Sequence, residues 1–331
     1  MLSMRIGLAY DLQTDPQDER QAEYDSPRTI EALCAALEEA GHRVVRLGGA
    51  FELLADLSRL EGIELVFNIA EGTHGRNREA WVPTLLELYG IPSVGSDPLA
   101  LALGLDKAVC KQLARAAGVP TPRWISVATP QALPDPLPLA FPVIVKPRWE
   151  GSGRGIDAGA VVHAAPELAA RARWLFARCP EPLLIEEFID GGELTVCLIG
   201  NDPPQALPVI QRPVDCATRL SCHVLPQVPD AWEALLILDE ALEAQASRIA
   251  QTMFGVLGCR DMARVDLRVD RQGQAWFLEI NPLPSCDPAG SLGLLAESTG
   301  TTYAALIGRI LNAALDRLIH RAVPVTHLWK T

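Results

Sequence analysis

Predicted strands and helices alternate over the first ~95 residues, and this alternation constrains the fold more than any other feature of the sequence. A strand is predicted at residues 4–10, followed by a helix at 27–40 that has Ser26 as a typical N-cap and a proline at its first position. An apolar strand at 63–70 and a helix at 79–89 repeat the pattern. The alternation predicts a parallel sheet with helices on both faces, hence an α/β unit.

After a helix pair at 97–117 and a proline-rich connector, strands follow one another closely, which favours antiparallel sheets and an α+β unit. The predicted strands are 143–146, 155–162, 183–187, 193–199, 206–211, 261–269 and 275–280, and the predicted helices are 166–177, 232–257 and 302–321.

Length and composition exclude several classes of protein. A chain of 331 residues is too long for one simple core and indicates two or three domains. The net charge of -12 argues against a nucleic-acid partner. Eight cysteines without a C-x-x-C pair indicate buried thiols in a reducing cytoplasm. No apolar run approaches the ~18 residues of a membrane span, so we expect a cytoplasmic protein without a membrane partner.

Two pairs of side chains mark a candidate metal site. Glu279 and Asn281 stand two residues apart at the end of an apolar strand, so they share one face of it. Arg264 and Asp266 have the same spacing on the preceding strand. Pairing of the two strands would bring Asp266, Glu279 and Asn281 together as oxygen ligands for nucleotide-bound Mg²⁺. The alternative is a strand end that simply becomes solvated.

A second segment favours phosphate binding. Lys146 ends a buried strand, and Gly151, Gly153 and Gly155 follow in a loop. Glycines let backbone N–H groups approach phosphate oxygens, and lysine adds a positive charge. The spacing matches neither a Walker loop nor a dinucleotide fingerprint, which argues against a nicotinamide dehydrogenase. Taken alone, a glycine-rich turn between two strands is more often a hairpin loop than a phosphate-binding loop.

The order of these motifs resembles the ATP-grasp superfamily, and more closely the D-alanine–D-alanine ligase family. Residues 66–122, from "VFNIAEGTHG" through "LDKAVCK" to "GVPTP", are similar to the segment that joins that family's first and central domains. The resemblance covers nearly the whole chain. It implies a three-domain architecture in which residues 1–96 form a parallel α/β domain. Residues 97–187 and 188–331 would carry the two sheets that enclose ATP.

The resemblance also implies residue roles. Mg²⁺, with Mn²⁺ as a possible substitute, would be held by Asp266, Glu279 and Asn281. ATP would be held by Lys107 and Lys146 at the phosphates, Gly151, Ser152 and Gly153 in the loop, Glu186, Glu187, Phe188, Ile189 and Leu278 near adenine, and Glu193 at the ribose. Arg264, Ser152 and Arg219 are the expected catalytic residues, and Glu71, Ser291 and Leu292 the expected substrate contacts.

The implied reaction is an ADP-forming ligation of small amino-acid-like substrates, with a homodimer as a possible assembly. Phosphoryl transfer to a carboxylate gives an acyl phosphate, which an amine attacks. Arg264 would stabilise the oxyanion of that second step.

Departures from the family pattern leave the substrates open. Residues 211–230 lack the family's loop tyrosine and lysine, so Arg219, or else Arg212 or His223, would replace them. The alternative is a solvent-facing loop that takes no part in ATP binding. The family's Leu-His-Gly is replaced by Ala70-Glu71-Gly72, where Glu71 would pair with a substrate amine or with Arg76 or Arg78.

Three readings therefore stay open: D-alanyl-D-alanine synthesis, a ligase for other amino acids or a natural-product intermediate, and a regulatory nucleotide-binding protein without catalysis. The intact Arg264 argues against the last reading, because ATP binding alone needs no oxyanion arginine.

Overall fold

The computed structural model describes residues 3–221, 235–236 and 239–321. Its N-terminal layer is a four-stranded parallel sheet with the strand order β2-β1-β3-β4. The strands are β1 (Arg5–Ala9), β2 (Arg43–Gly48), β3 (Leu65–Asn68) and β4 (Ser93–Val94), and the helices between them are α1 (Pro27–Glu39), α2 (Ala50–Ala55) and α3 (Trp81–Tyr89). The predicted alternation is confirmed.

Helix boundaries in this layer follow from local sequence. The Ser26 side chain accepts a hydrogen bond from the backbone N–H of Thr29, and Pro27 opens α1. Helix α3 ends at Gly90, whose φ of 67° lies in the left-handed region that terminates helices.

Helices α4 (Pro98–Leu105) and α5 (Lys107–Ala116) form the predicted helix pair. A second, antiparallel sheet has the order β5-β8-β6-β7. Its strands are β5 (Trp124–Val127), β6 (Val143–Pro147), β7 (Val161–Val162) and β8 (Leu183–Glu187), with α6 (Ala165–Arg178) packed on β6. The predicted strand 155–162 is wrong except at its last two residues, because positive φ angles at Gly153 and Gly155 keep the chain in turns there. Strand β5 was not predicted.

The third sheet follows the order β12-β11-β9-β13-β14, with β10 paired to β9. Its strands are β9 (Gly192–Ile199), β10 (Gln205–Ala206), β11 (Ile210–Arg212), β12 (Leu235–Leu236), β13 (Met262–Val269) and β14 (Ala275–Asn281). The helix predicted at 232–257 begins only at Glu240 as α7 (Glu240–Leu257), where Asp239 caps it. Residues 232–234 and 237–238 of that prediction lie outside the described residues.

Several helices pack away from their neighbours in sequence. Helix α5 packs on β14 and α7 of the C-terminal sheet. Helices α8 (Ser291–Ser298) and α9 (Tyr303–Arg321) close the described chain, and α9 packs on α1. The domain bounds 1–96, 97–187 and 188–331 stay a prediction, because this packing crosses them. Among the described residues, no helix combines the length and the apolar character needed to span a membrane.

Candidate active site

Two cavities adjoin one another where the three layers meet. The first, here called the nucleotide cavity, has a volume of about 110 Å³ and is lined by residues of β6, β8, β13, β14 and the glycine loop. The second, here called the carboxylate cavity, has a volume of about 260 Å³ and is lined mainly by the N-terminal layer and the end of β14. Both are lined by Lys107, Gly151, Ser152, Arg264 and Glu279.

The predicted metal ligands come together at the β13–β14 hairpin. Asp266 lies opposite Glu279 in the antiparallel register, and Arg264 lies opposite Asn281. Thr195 donates a hydrogen bond of 2.8 Å to Asp266 Oδ1, and Arg264 Nη2 lies 2.9 Å from Asp266 Oδ2. Lys107 Nζ lies 3.3 Å from Glu279 Oε2. The two strands therefore hold both carboxylates and the carboxamide at the junction of the cavities.

This donor set fits Mg²⁺, which prefers oxygen ligands from one or two carboxylates. Burial raises the pKa of Glu279, but Lys107, Lys146 and Arg264 outweigh burial and lower that pKa to about 2. The carboxylate is thus ionised at neutral pH and suited to a cation. Among the described residues, no group of three or more His, Cys, Asp and Glu side chains could hold a metal ion.

A buried lysine that the sequence reasoning missed supports the phosphate-binding region. Glu186 lies between two cations, with Lys146 Nζ at 2.6 Å and Lys111 Nζ at 2.7 Å. Lys111 is fully buried and also donates to Thr121 Oγ1 at 2.9 Å. The spacing of Lys107 and Lys111, one helical turn apart on α5, was the available signal. The Glu186 side chain therefore holds Lys146 and is not free to contact adenine.

The segment after β8 lines the nucleotide cavity mostly with apolar groups and backbone. Phe188, Ile189 and Leu278 line this cavity. The backbone N–H groups of Glu187 and Phe188 donate to the carbonyls of Arg123 and Pro142. The Glu187 carboxylate accepts from the Ala140 N–H at 3.0 Å and lies 3.4 Å from Arg123 Nη1. Glu187 also lines the nucleotide cavity.

An ion pair lines part of the nucleotide cavity. Glu193 lies 3.5 Å from Arg268, whose guanidinium stacks over Phe188 at 4.9 Å from the ring centroid. Burial raises the pKa of Glu193 to about 7, although Arg268 opposes that shift. Glu193, the predicted ribose contact, therefore lies beside the cation–π pair of Arg268 and Phe188, and all three residues line the cavity.

The glycine loop approaches the N-terminal layer closely. A Cβ at Gly151 would lie 2.3 Å from Glu23 Oε1, and a Cβ at Gly155 would lie 2.7 Å from Leu175. Ser152 has a φ of 47°, a left-handed conformation that is uncommon for residues other than glycine. Arg78 links the two segments, because it donates to the Trp149 carbonyl at 3.0 Å and lies 2.5 Å from Glu23.

Three carboxylates, those of Asp25, Glu71 and Glu79, line the second cavity, and Asp25 and Glu79 are each 8 % exposed. Burial raises the pKa of Glu71 and of Glu79, while the positive charge of Arg78 opposes both shifts and Lys107 also opposes that of Glu79. The two arginines expected near Glu71 make ion pairs with other acids: Arg76 lies 3.5 Å from Asp106, and Arg78 pairs with Glu23.

The comparison with protein families decides the identity. The model described as "D-ala D-ala ligase C-terminus" matches residues 113–312, which is more than half of the chain. The chain belongs to the D-alanine–D-alanine ligase family. It is an ATP-dependent, ADP-forming ligase of this type.

Relatives of this family align along most of the chain. A D-alanine–D-alanine ligase of Synechococcus sp. is 33% identical over 302 residues, which cover 87% of this chain and 88% of the relative. "Uncharacterized protein y4sG" of Sinorhizobium fredii is 34% identical over 309 residues and covers 88% of each chain. The crystal structure of D-alanine–D-alanine ligase from Bacillus anthracis complexed with ATP has a TM-score of 0.77 at 24% identity, covering 97% of this chain and 100% of that one. This structural likeness shows the same fold.

The loop that departs from the family pattern places its two described arginines differently. Neither arginine lines either cavity, and Arg219 Nε pairs with Asp190 Oδ1 at 2.9 Å. Arg212 is directed inward: its Nε donates to Thr195 Oγ1 at 3.3 Å and its Nη2 to Ser291 Oγ at 2.5 Å. His223 and the rest of the loop lie outside the described residues. The geometry therefore favours Arg212 over Arg219 as the loop cation near the site.

The family's Ser-Leu pair lies on the other side of Arg264. Ser291 and Leu292 begin helix α8 and, with Arg264, line a small pocket of about 10 Å³. Ser291 is 8 % exposed and bound by Arg212, whereas Leu292 packs in the core against α9. Of Ser291 and Leu292, only Ser291 has a polar side-chain atom, and this oxygen accepts a hydrogen bond from Arg212.

Proposed function

We propose that this family member joins two amino-acid-like substrates through an acyl-phosphate intermediate, with Mg²⁺ assisting ATP. The observation that carries the proposal is the position of Asp266, Glu279 and Asn281. They line the two adjoining cavities, one of which contains Lys146 and the glycine loop and the other several acids, and Lys107 and Arg264 line both.

The first step would be phosphoryl transfer in the shared part of the two cavities. A carboxylate oxygen of the first substrate attacks the γ-phosphorus, and the bond to ADP breaks. Lys107 and Lys146 would hold phosphate oxygens, and the loop from Gly151 to Gly153 would cover them with backbone N–H groups. Bound Mg²⁺ would offset phosphate charge, held by Asp266, Glu279 and Asn281.

The second step would be attack of an amine on the acyl phosphate. The nitrogen forms a bond to the carbonyl carbon and loses a proton, and inorganic phosphate leaves from the tetrahedral oxyanion. Arg264 would stabilise this oxyanion, since Asp266 orients its guanidinium and the side chain lines both cavities. Ser152, Glu71, Ser291 and Arg212 would position the substrates.

The substrates proposed first are D-amino acids, because the Synechococcus relative named above is a D-alanine–D-alanine ligase. A ligase for another amino-acid pair is the second candidate. It is favoured by Glu71 at the family's histidine position and by the loop without tyrosine and lysine. We further propose the three-domain division at residues 96 and 187, a cytoplasmic location, and a homodimer that gel filtration would test.

A coupled ADP-release assay tests the function. The purified protein would be incubated with ATP, Mg²⁺ and D- or L-amino acids, singly and in pairs, and products would be identified by mass spectrometry. We expect ADP release that depends on an amino-acid pair, together with a product carrying a new amide bond. ATP binding without amino-acid-dependent ADP release across the panel would instead support the regulatory nucleotide-binding reading.

A further inference from the structure

The carboxylate of Asp106 stands at the start of helix α5, directly before Lys107. It is completely buried, and its Oδ1 accepts a hydrogen bond of 3.1 Å from the backbone N–H of Val109. This is an N-cap contact, which Ser, Thr or Asn provides equally well without a charge. The remaining contacts of the carboxylate therefore point to a second role.

Two consecutive side chains from the segment after β6 bind this carboxylate. Arg148 Nε lies 2.7 Å from Oδ1 and Arg148 Nη2 lies 2.8 Å from Oδ2, while Trp149 Nε1 donates to Oδ2 at 3.2 Å. Burial alone would raise the pKa of Asp106, but its hydrogen bonds, those from Arg148 foremost, lower that pKa. A bidentate arginine fixes the orientation of an ionised carboxylate as well as its charge. Asp106 thus holds Arg148 and Trp149 against the start of α5.

The N-terminal layer contributes to the same cluster. Arg76 Nη2 lies 3.5 Å from Asp106 Oδ2, and its guanidinium lies over the Trp149 ring at 6.0 Å from the centroid. The backbone of Trp149 is also bound, because Glu181 accepts from its N–H at 2.7 Å and Arg78 donates to its carbonyl at 3.0 Å. Segments from separate parts of the chain therefore meet around Asp106.

Lys107 connects this cluster to the nucleotide cavity. Its backbone N–H donates to the Arg148 carbonyl at 3.2 Å, and its Nζ donates to the Glu150 carbonyl at 2.5 Å. Both Lys107 and Glu150 line the nucleotide cavity. In the described structure Asp106, Arg148 and Trp149 line neither cavity. Any effect of Asp106 on a nucleotide therefore passes through Lys107 and the glycine loop.

We infer that Asp106 is a positioning residue for ATP. Its carboxylate fixes Arg148 and Trp149, which holds the Glu150 carbonyl against Lys107 and sets the start of the glycine loop before a nucleotide binds. Groups that are already in place lose less conformational freedom on binding, so affinity rises. The inference rests on the proposed function, because it takes Lys107 and the glycine loop to be the groups that hold the phosphates.

Asp106→Asn tests the inference at constant side-chain size. Asparagine keeps an oxygen for the N-cap hydrogen bond but loses the charge and the second oxygen that Arg148 binds. Asp97→Asn is the matched control, since Asp97 accepts a hydrogen bond of 3.0 Å from the Ala100 N–H at the start of α4 and pairs with Arg260. In the part of the chain that the structure describes, Asp97 lines neither of the two cavities.

Calorimetry with Mg²⁺ and a non-hydrolysable ATP analogue measures the nucleotide affinity of the full-length variants. We expect Asp106→Asn to raise the Kd about tenfold or more, as the loss of a charge-assisted contact implies, and Asp97→Asn to change it less than about twofold. An unchanged Kd in Asp106→Asn, even with a lower free energy of unfolding, would overturn the inference, because Asp106 would then have a structural role only. An equal loss of affinity in Asp97→Asn would overturn it as well.

Hydrogen exchange gives a readout that is independent of the nucleotide. In the ligand-free protein, residues 148–156 should exchange about tenfold faster in Asp106→Asn than in wild type, while exchange in helix α7 stays the same. Unchanged exchange over residues 148–156 would show that Asp106 does not hold this segment.

Arg148→Gln tests the same contact from its other side and leaves the cap of α5 in place, so it also covers the case in which Asp106→Asn does not fold. It should raise the Kd by a similar factor, and the double variant should lose no more affinity than the weaker of the two single variants. Wild-type affinity in Arg148→Gln, or additive losses in the double variant, would overturn the inference.

The ADP-release assay shows which idea fails. Weaker binding of the analogue by Asp106→Asn, without ADP release by wild type on any amino-acid pair, would uphold the inference and reject the proposed reaction. Amino-acid-dependent ADP release by wild type, with equal analogue affinity in wild type and Asp106→Asn, would uphold the reaction and reject the inference.

Discussion

At the residue scale, the site depends on charges whose partners are fixed by hydrogen bonds. Asp266 is held by Arg264 and Thr195, and Glu279 by Lys107. Neither carboxylate can rotate away without leaving a buried cation behind. A metal site built in this way loses function when a ligand changes and keeps its fold when size is preserved.

We expect Glu279→Gln and Asn281→Ala each to lower Mg²⁺-dependent ADP release by about 100-fold or more, since an interaction specific to the transition state is worth about 3 kcal/mol. Far-UV circular dichroism should stay unchanged. Glu297→Gln, at an exposed position on α8, is the control for the charge change. Near-normal release in both site variants would show that these side chains do not bind the metal.

Lys111 and Lys146 bind the same carboxylate, but only Lys146 lines the nucleotide cavity. We therefore expect Lys146→Ala to weaken ATP binding by about tenfold or more. Lys111→Met should instead reduce the free energy of unfolding by about 3–5 kcal/mol, because removing one partner from a buried charge cluster is costly. Calorimetry with ATP and urea unfolding separate the two effects. Equal ATP affinities in wild type and Lys146→Ala would show that Lys146 does not contribute to ATP binding and has a structural role only.

At the scale of elements, the antiparallel pairing of β9, β11, β13 and β14 brings side chains from distant segments to one surface. Arg212 of β11 lies opposite Glu193 of β9, and its guanidinium reaches Thr195 and Ser291. Arg219 lies beyond the strand and is half-exposed beside Asp190. Strand β11 therefore positions Arg212, whereas Arg219 lies in the segment that follows this strand.

We expect Arg212→Ala to lower kcat more than Arg219→Ala does, with a loss of about tenfold or more. The reason is that a cation at the site strengthens its contacts as charge moves in the transition state. Steady-state kinetics on the substrates found in the screen would measure both variants under one set of conditions. A larger kcat loss in Arg219→Ala would return the assignment to the residue that sequence reasoning favoured.

At the scale of the whole molecule, the three layers meet at a cleft whose acids are buried by packing between them. The raised pKa values of Asp25, about 7, and Glu79, about 8, make the ligand-free fold sensitive to pH. Between about pH 4 and pH 8 the folded state binds more protons at these groups than the unfolded state does. Stability therefore decreases as pH rises through this window.

We expect the free energy of unfolding of the ligand-free protein to be lower at pH 8 than at pH 5, and Asp25→Asn to reduce the difference by about 1–3 kcal/mol. The variant removes a carboxylate that must ionise in a buried position at the higher pH. Urea unfolding at both pH values is the measurement, with Glu31→Gln on the exposed face of α1 as the control. An unchanged pH dependence in Asp25→Asn would exclude this origin.

Spacing along the chain was enough to predict the features that depend on local geometry. The two-residue period of a strand places Glu279 and Asn281 on one face. Ser26 as N-cap and Pro27 at the first helical position favour the start of a helix there, whatever the helix packs against. The order of Lys146, the glycine loop and the β13–β14 hairpin along the sequence likewise indicates the family.

Tertiary structure decided the features that join segments far apart in sequence. The Lys111–Glu186–Lys146 cluster, the acids of the carboxylate cavity and the contacts of Arg212 each require side chains from separate segments to lie together. Local propensity carries no information about such long-range contacts, because they depend on how whole helices and strands pack together. The charge of a residue can thus be read from the sequence, but whether that charge is paired, buried or free to hold a substrate is set by the fold.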